Sequence, residues 1–156
     1  MKAPLLALLA SAAILAGGCG REDPSTPVAC LDGPEPVLAA LGAAPDPVRL
    51  ADGTRISECL TDNQPGGQLA QAGDGLISAA TDLNDEAFRD PGGQANLALG
   101  YLLGAARQGA EETGGIHADL IRRLEASVYF RPGGGDLPRS IEESLMQGIE
   151  AGTRHG

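Results

Sequence analysis

Few residues in this chain can move a proton or hold an anion, and His117 is foremost among them. His155 is the other histidine and lies in the C-terminal tail. At about 100° per residue, the periodicity from Ile116 onward puts His117 on the apolar side of a helix, between Ile116 and Leu120 or Leu124. Glu111, Glu112 and Asp119 are close in sequence. A carboxylate that orients an imidazole makes it a general acid or base. An imidazole on an apolar face is more commonly a hydrogen-bonded core residue, and that is the expectation here.

Arg122 and Arg123 form the adjacent cationic pair of the domain. Two guanidinium groups side by side can grip a carboxylate or phosphate. Asp119, three and four residues away, offers each a partner on the same helix instead. His117, Arg122 and Arg123 are therefore the candidate lining of a ligand pocket, with no catalytic residue assigned. Asp82, Asn84, Glu86 and Asp90 have the look of a calcium loop, but Ala87 stands where the loop needs glycine and the segment has helical periodicity. Gly73-x-Gly75 lacks the preceding strand and final glycine of a dinucleotide loop. Neither is expected to bind.

The N-terminus carries an address. Lys2 precedes an apolar stretch from Ala3 to Leu15, followed by the small residues Ala16, Gly17 and Gly18, the three-part layout of a secretory signal. The stretch is shorter than the roughly 20 apolar residues that span a bilayer. Leu15-Ala16-Gly17-Gly18-Cys19 resembles the lipobox of bacterial lipoproteins, although the position three before the cysteine, usually Leu, is Ala16. The resemblance covers the signal only. It implies cleavage after Gly18 and lipid on Cys19; the alternative is ordinary cleavage after Gly18 to a secreted, unlipidated form. With lipid on Cys19, Cys30 and Cys59 remain as an even pair in a disulfide-permissive compartment. Their bond would close a loop of about 30 residues, worth roughly 3 to 4 kcal/mol in the chain-entropy model. Zinc needs three or four convergent ligands, which one internal histidine and two committed cysteines do not supply, so no metal and no cofactor is expected.

Composition narrows the partners further. The single lysine is Lys2, so the mature part sets ten arginines against 21 carboxylates and is net acidic by 11 charges. That surface repels nucleic acid and other polyanions, and lysine-nucleophile chemistry is excluded. The aromatic residues are Phe88, Tyr101, Tyr129 and Phe130, with no tryptophan, which disfavours stacking on sugars or bases.

These residues must be positioned by helices. Gly20 to Val28 is polar and proline-bearing, a tether. Pro34–Ala44 is a short helical candidate, and Val48–Leu50 with Thr54–Ile56 flank an Asp52-Gly53 turn, giving a small hairpin. Between Gly66 and Arg89, Leu69, Gly73, Leu76, Ala80, Leu83 and Ala87 share one face, while Gln71, Asp74, Ser78, Asp82 and Asp85 share the other. A second helix, Gln94–Thr113, is apolar or small on both sides and should sit centrally, with Gly100 and Gly104 admitting a neighbour's backbone. A third runs from Ile116 to about Phe130. A fourth opens with a Ser140–Glu143 capping box and aligns Ile141, Leu145 and Ile149. Pro-Gly-Gly-Gln, at Pro65 and again at Pro91, punctuates the starts of two of them.

The expected fold is all-α, a small bundle of about four main helices with an N-terminal disulfide-stapled segment. The expected organisation is a signal peptide over 1–18, a lipidated tether over 19–29 and a helical domain over 30–154. The functional expectation is a non-catalytic binding or interaction module of the cell envelope. It would be held to the cell or outer membrane by lipid on Cys19, face away from the cytoplasm, and bind an envelope protein or small ligand rather than nucleic acid. The alternative is an envelope hydrolase or other enzyme using His117 with nearby carboxylates.

Overall fold

The computed structural model describes residues 25–111, 113–131 and 133–156; the signal, Cys19 and the tether as far as residue 24 lie outside them. Among the described residues the chain is all-helical, with α1 Pro34–Leu41, α2 Gly66–Arg89, α3 Ala95–Glu111, α4 Ala118–Val128 and α5 Arg139–His155. Single 3-10 turns at Val28–Leu31 and Ile56–Cys59 carry Cys30 and Cys59. These two are disulfide-bonded, with their Cα atoms 5.4 Å apart. Four long helices, one short helix and the staple match the expected class.

α2 follows its sequence pattern closely. Gly73, Leu76, Ala80, Leu83 and Ala87 are buried, and Gln71, Asp74, Ser78, Asp82 and Asp85 face solvent. The helix stops where Pro91 and two glycines follow, and the Asp90 amide makes the last bond to the Glu86 carbonyl at 2.8 Å.

α3 is the axis of the domain. Twelve of its 17 residues are buried, on all sides. Leu99, Leu102 and Leu103 are fully enclosed, each stabilising the fold by roughly 1.5–3 kcal/mol. Tyr101 is also enclosed, and its hydroxyl accepts the Val48 amide at 3.0 Å. α5 runs parallel to α3 with the backbones in contact. A Cβ on Gly100 or Gly104 would collide with the carbonyls of Leu145 and Ile149, and one on Gly148 or Gly152 with those of Leu97 and Tyr101. Two small-xxx-small patterns therefore face each other, and the closeness that α3 implied is met by α5. α4 makes the crossover that brings α5 back in the same direction; it buries Leu120, Leu124 and Val128, and Arg107 of α3 donates to Glu125 of α4 at 3.0 Å.

Three local expectations are corrected. The hairpin is absent: the Asp52-Gly53 turn forms, but the Val48 amide goes to Tyr101 and Ile56 enters a 3-10 turn, leaving Leu50 N–H to Thr54 O and Gly53 N–H to Leu50 O, both at 2.8 Å, as the backbone bonds across it. The Ser140–Glu143 box does not form, because the N-cap is Pro138 and the helix starts two residues earlier; the Pro138 carbonyl accepts the Ile141 and Glu142 amides at 2.9 and 3.1 Å. The packed domain also reaches further toward the N-terminus than Cys30. Thr26 is 4 % exposed, its hydroxyl accepting from Gln64 Nε2 at 2.7 Å.

Candidate functional site

His117 sits at the N-cap position of α4 and is fully buried. It stands ahead of the helix rather than on its apolar face, and Ile116 beside it is 47 % exposed. Nε2 lies 2.7 Å from Gln64 Oε1, and Nδ1 lies 2.7 Å from Thr113 Oγ1. The tautomer follows from one carbonyl. Gln64 Nε2 donates to the Cys59 carbonyl at 3.1 Å, which can only accept, so Gln64 Oε1 must face the histidine. His117 Nε2 therefore carries the hydrogen, and in the neutral ring Nδ1 is an acceptor for the one hydrogen of the Thr113 hydroxyl, which the Ala110 carbonyl at 2.8 Å also competes for. Burial lowers the pKa of His117, with exposed Asp62 opposing weakly, so the ring is neutral at pH 7 and both nitrogens are occupied.

The arginine pair is not gathered with it. Arg122 pairs with Asp119 at 2.7 Å, both about three-quarters exposed, and Arg123 reaches Asp74 of α2 at 3.7 Å. Arg123 lines a small dent of about 130 Å³ with Leu69, Gly73 and Leu120; neither His117 nor Arg122 reaches it.

A different cleft stands out, of about 270 Å³, between the end of α2, the starts of α3 and α5, and the glycine loop before α5. Its apolar wall is Phe88, Leu137 and Ile141, and its polar groups are Asn84, Asn96, Arg131 and Asp136. Gly134 and Gly135, at φ 66° and 102°, carry the loop through the left-handed region that lets it curl over the opening.

Arg131 is half-buried and built in. Its Nη1 donates to Asn84 Oδ1 at 3.0 Å, to the Val128 carbonyl at 3.2 Å and to the Phe130 carbonyl at 2.6 Å. Asn84, 3 % exposed, is held by its own donation to Phe130 O at 3.1 Å. The guanidinium carbon stands 5.3 Å from the Phe88 ring centroid, a cation–π distance. Among the described residues no carboxylate comes within ion-pairing distance of Arg131, and no acceptor meets its Nε or Nη2. Burial pushes its pKa down, yet guanidinium stays charged at any physiological pH. A desolvated cation with neutral partners only is costly, and that cost marks the site.

A second concavity of about 300 Å³ includes Arg55, Glu58, Thr61 and Gln108. There the cation is already neutralised, since Arg55 pairs with Glu58 at 2.9 Å. Sequence reasoning passed over Arg131, although a signal was present. Alone among the arginines of the described residues, it has no Asp or Glu three or four positions away.

No family model matches this chain, and neither curated proteins nor solved structures give a match.

Proposed function

We propose that this protein is an exported, lipid-tethered binding module of the cell envelope, without catalytic chemistry of its own, that holds a small ligand in the cleft beside Arg131. The observation that carries the reading is that cleft, where a positioned cation that no carboxylate ion-pairs stands next to an apolar wall. Small-molecule sites combine mostly apolar linings with a few convergent polar groups, in volumes of about 300–1,000 Å³, and this cleft, at about 270 Å³, falls just below that range and suits a small ligand. The signal layout and Cys19 support export and lipid anchoring, and the Cys30–Cys59 bond is at home in an oxidising compartment. Against the enzyme reading built on His117, both ring nitrogens are engaged with Gln64 and Thr113, so neither is available to a substrate proton.

The test is to extract the small molecules that accompany the detergent-purified lipoprotein from its host and identify them by mass spectrometry, alongside an Ile141→Trp variant whose indole fills the cleft. A compound retained by the wild type and lost from the variant is expected. Identical extracts from two folded proteins would refute the reading.

A further inference from the structure

We infer that the cleft selects a small monocarboxylate, its carboxylate on Arg131 and its apolar tail against Phe88, Leu137 and Ile141. This rests on the binding-module reading above and names the ligand class. The first step is the guanidinium itself. Nη1 is saturated by three neutral acceptors, which satisfy hydrogen bonds without cancelling the charge. The Nε–Nη2 edge keeps its donors, and that edge presents two parallel N–H groups at the spacing of a carboxylate's oxygens. Phe88 and Asn84 hold the plane of the fork, so little orientational freedom is lost on binding.

Charge sets the valence of the ligand. The first turns of α3 and α5 contribute Asn96 and Ile141 to the lining, so the positive ends of two helix dipoles lie at the cleft. Opposing them, exposed Asp136 lines the same opening, and the domain as a whole is strongly acidic. One local cation can overcome that field for a single negative charge; a phosphate dianion or a polyanion meets more repulsion than one guanidinium offsets. The apolar wall then rewards a hydrocarbon tail and leaves acetate or formate too small to fill the space.

The full chain in detergent would be titrated with hexanoate and benzoate, and with hexanamide and benzamide as neutral isosteres, followed by ligand-observed NMR. Ile141→Trp serves as the blank that removes partition into micelles. Hexanoate or benzoate should bind saturably, with the matching amide weaker by at least about ten-fold, the difference that a hydrogen-bonded charge makes. Arg131→Gln should bring acid and amide to equal affinity, and Asp136→Asn should tighten the acid several-fold while leaving the amide unchanged. N-acetyl-leucine, whose carboxylate adjoins a peptide group, separates the two sources of such a ligand: its preference over hexanoate would identify a peptide C-terminus, and the reverse a free aliphatic acid. Should Arg131→Gln unfold, the acid-over-amide preference of the wild type and the Asp136→Asn response decide alone. Equal binding of acid and amide overturns the inference while leaving a ligand cleft in place. Acid binding that survives Ile141→Trp, or no saturable binding of any of these probes, also overturns it, and the extraction experiment still judges the module reading independently.

Discussion

Replacing Gly148 with alanine should destabilise the protein even though alanine is the better helix former. The substitution gains about 1 kcal/mol of intrinsic helix preference. Against that, the new Cβ would collide with the Leu97 carbonyl and stand 2.8 Å from Tyr101 N and 3.0 Å from Gly100 Cα. All three atoms are backbone of α3, and none can rotate away. Relief requires α5 to withdraw by roughly 1 Å, and a gap of that size forfeits up to about half of each dispersion contact along the seam. Overpacking of this kind typically costs about 1–3 kcal/mol, and the rigidity of both partners puts it at the upper end. The net expectation is a loss of about 2 kcal/mol. Gly67→Ala supplies the contrast, because nothing lies within 4 Å of that Cβ in α2 and the propensity gain should appear alone. Urea denaturation followed by circular dichroism measures both. Once α5 has moved, a second Cβ at Gly152 finds room, so the Gly148→Ala/Gly152→Ala pair should cost less than the sum of its parts. A Gly148→Ala protein as stable as the wild type, or more stable, would refute the backbone-contact account of the α3–α5 seam.

Other expectations are more direct. Cys19→Ser should move the protein from the membrane to the soluble fraction; retention of this variant in the membrane after its signal has been removed would end the lipid assignment. Removing the disulfide with Cys30→Ala and Cys59→Ala should lower stability by roughly 3–4 kcal/mol, and peptide mapping without reductant should recover the linked pair. His117→Gln should cost about 1–3 kcal/mol, because Gln64 and Thr113 lose their shared partner, while leaving ligand retention intact. The same variant tests a pH dependence. His117 has its pKa lowered in the folded state, so below about pH 6.5 the unfolded chain binds the extra proton first, and stability should fall with falling pH by at most about 1.4 kcal/mol per unit. A Tm profile between neutral and mildly acid pH that is as steep in His117→Gln as in the wild type would assign that loss to other groups.

Much of the scaffold was legible because its causes are local. α2 could be read from periodicity alone, since one face is apolar or small and the other carries its aspartates. α3 could be placed at the centre because it has no polar side. Gly100 and Gly104 announced a close neighbour, but not which one; that needed Gly148 and Gly152, 48 residues on from each, to be recognised as the matching face. The candidate site was illegible for the same reason. Arg131, the Asn84–Phe88 turn of α2 and Ile141 come from separate places in the chain and meet only through the α4 crossover. His117 was correctly read as buried, yet its neighbours Gln64 and Thr113 are polar because the loop around it, not a helix face, sets its environment. The hairpin failed where a tertiary partner, the Tyr101 hydroxyl, outcompeted a local ladder for the Val48 amide.

The placement of the disulfide has a mechanical consequence. Tension applied to the chain ahead of Thr26 meets first the Gln64–Thr26 bond and then, four residues later, the covalent link from Cys30 to Cys59. Beyond Cys59 the load passes into packed structure, for Cys59 and Leu60 are both buried in the core. The segment between the cysteines, residues 31–58 with α1 included, lies off the load path while the bond is intact. Reduction would place it in series and let out roughly 100 Å of extensible chain, turning a stiff link into a slack one.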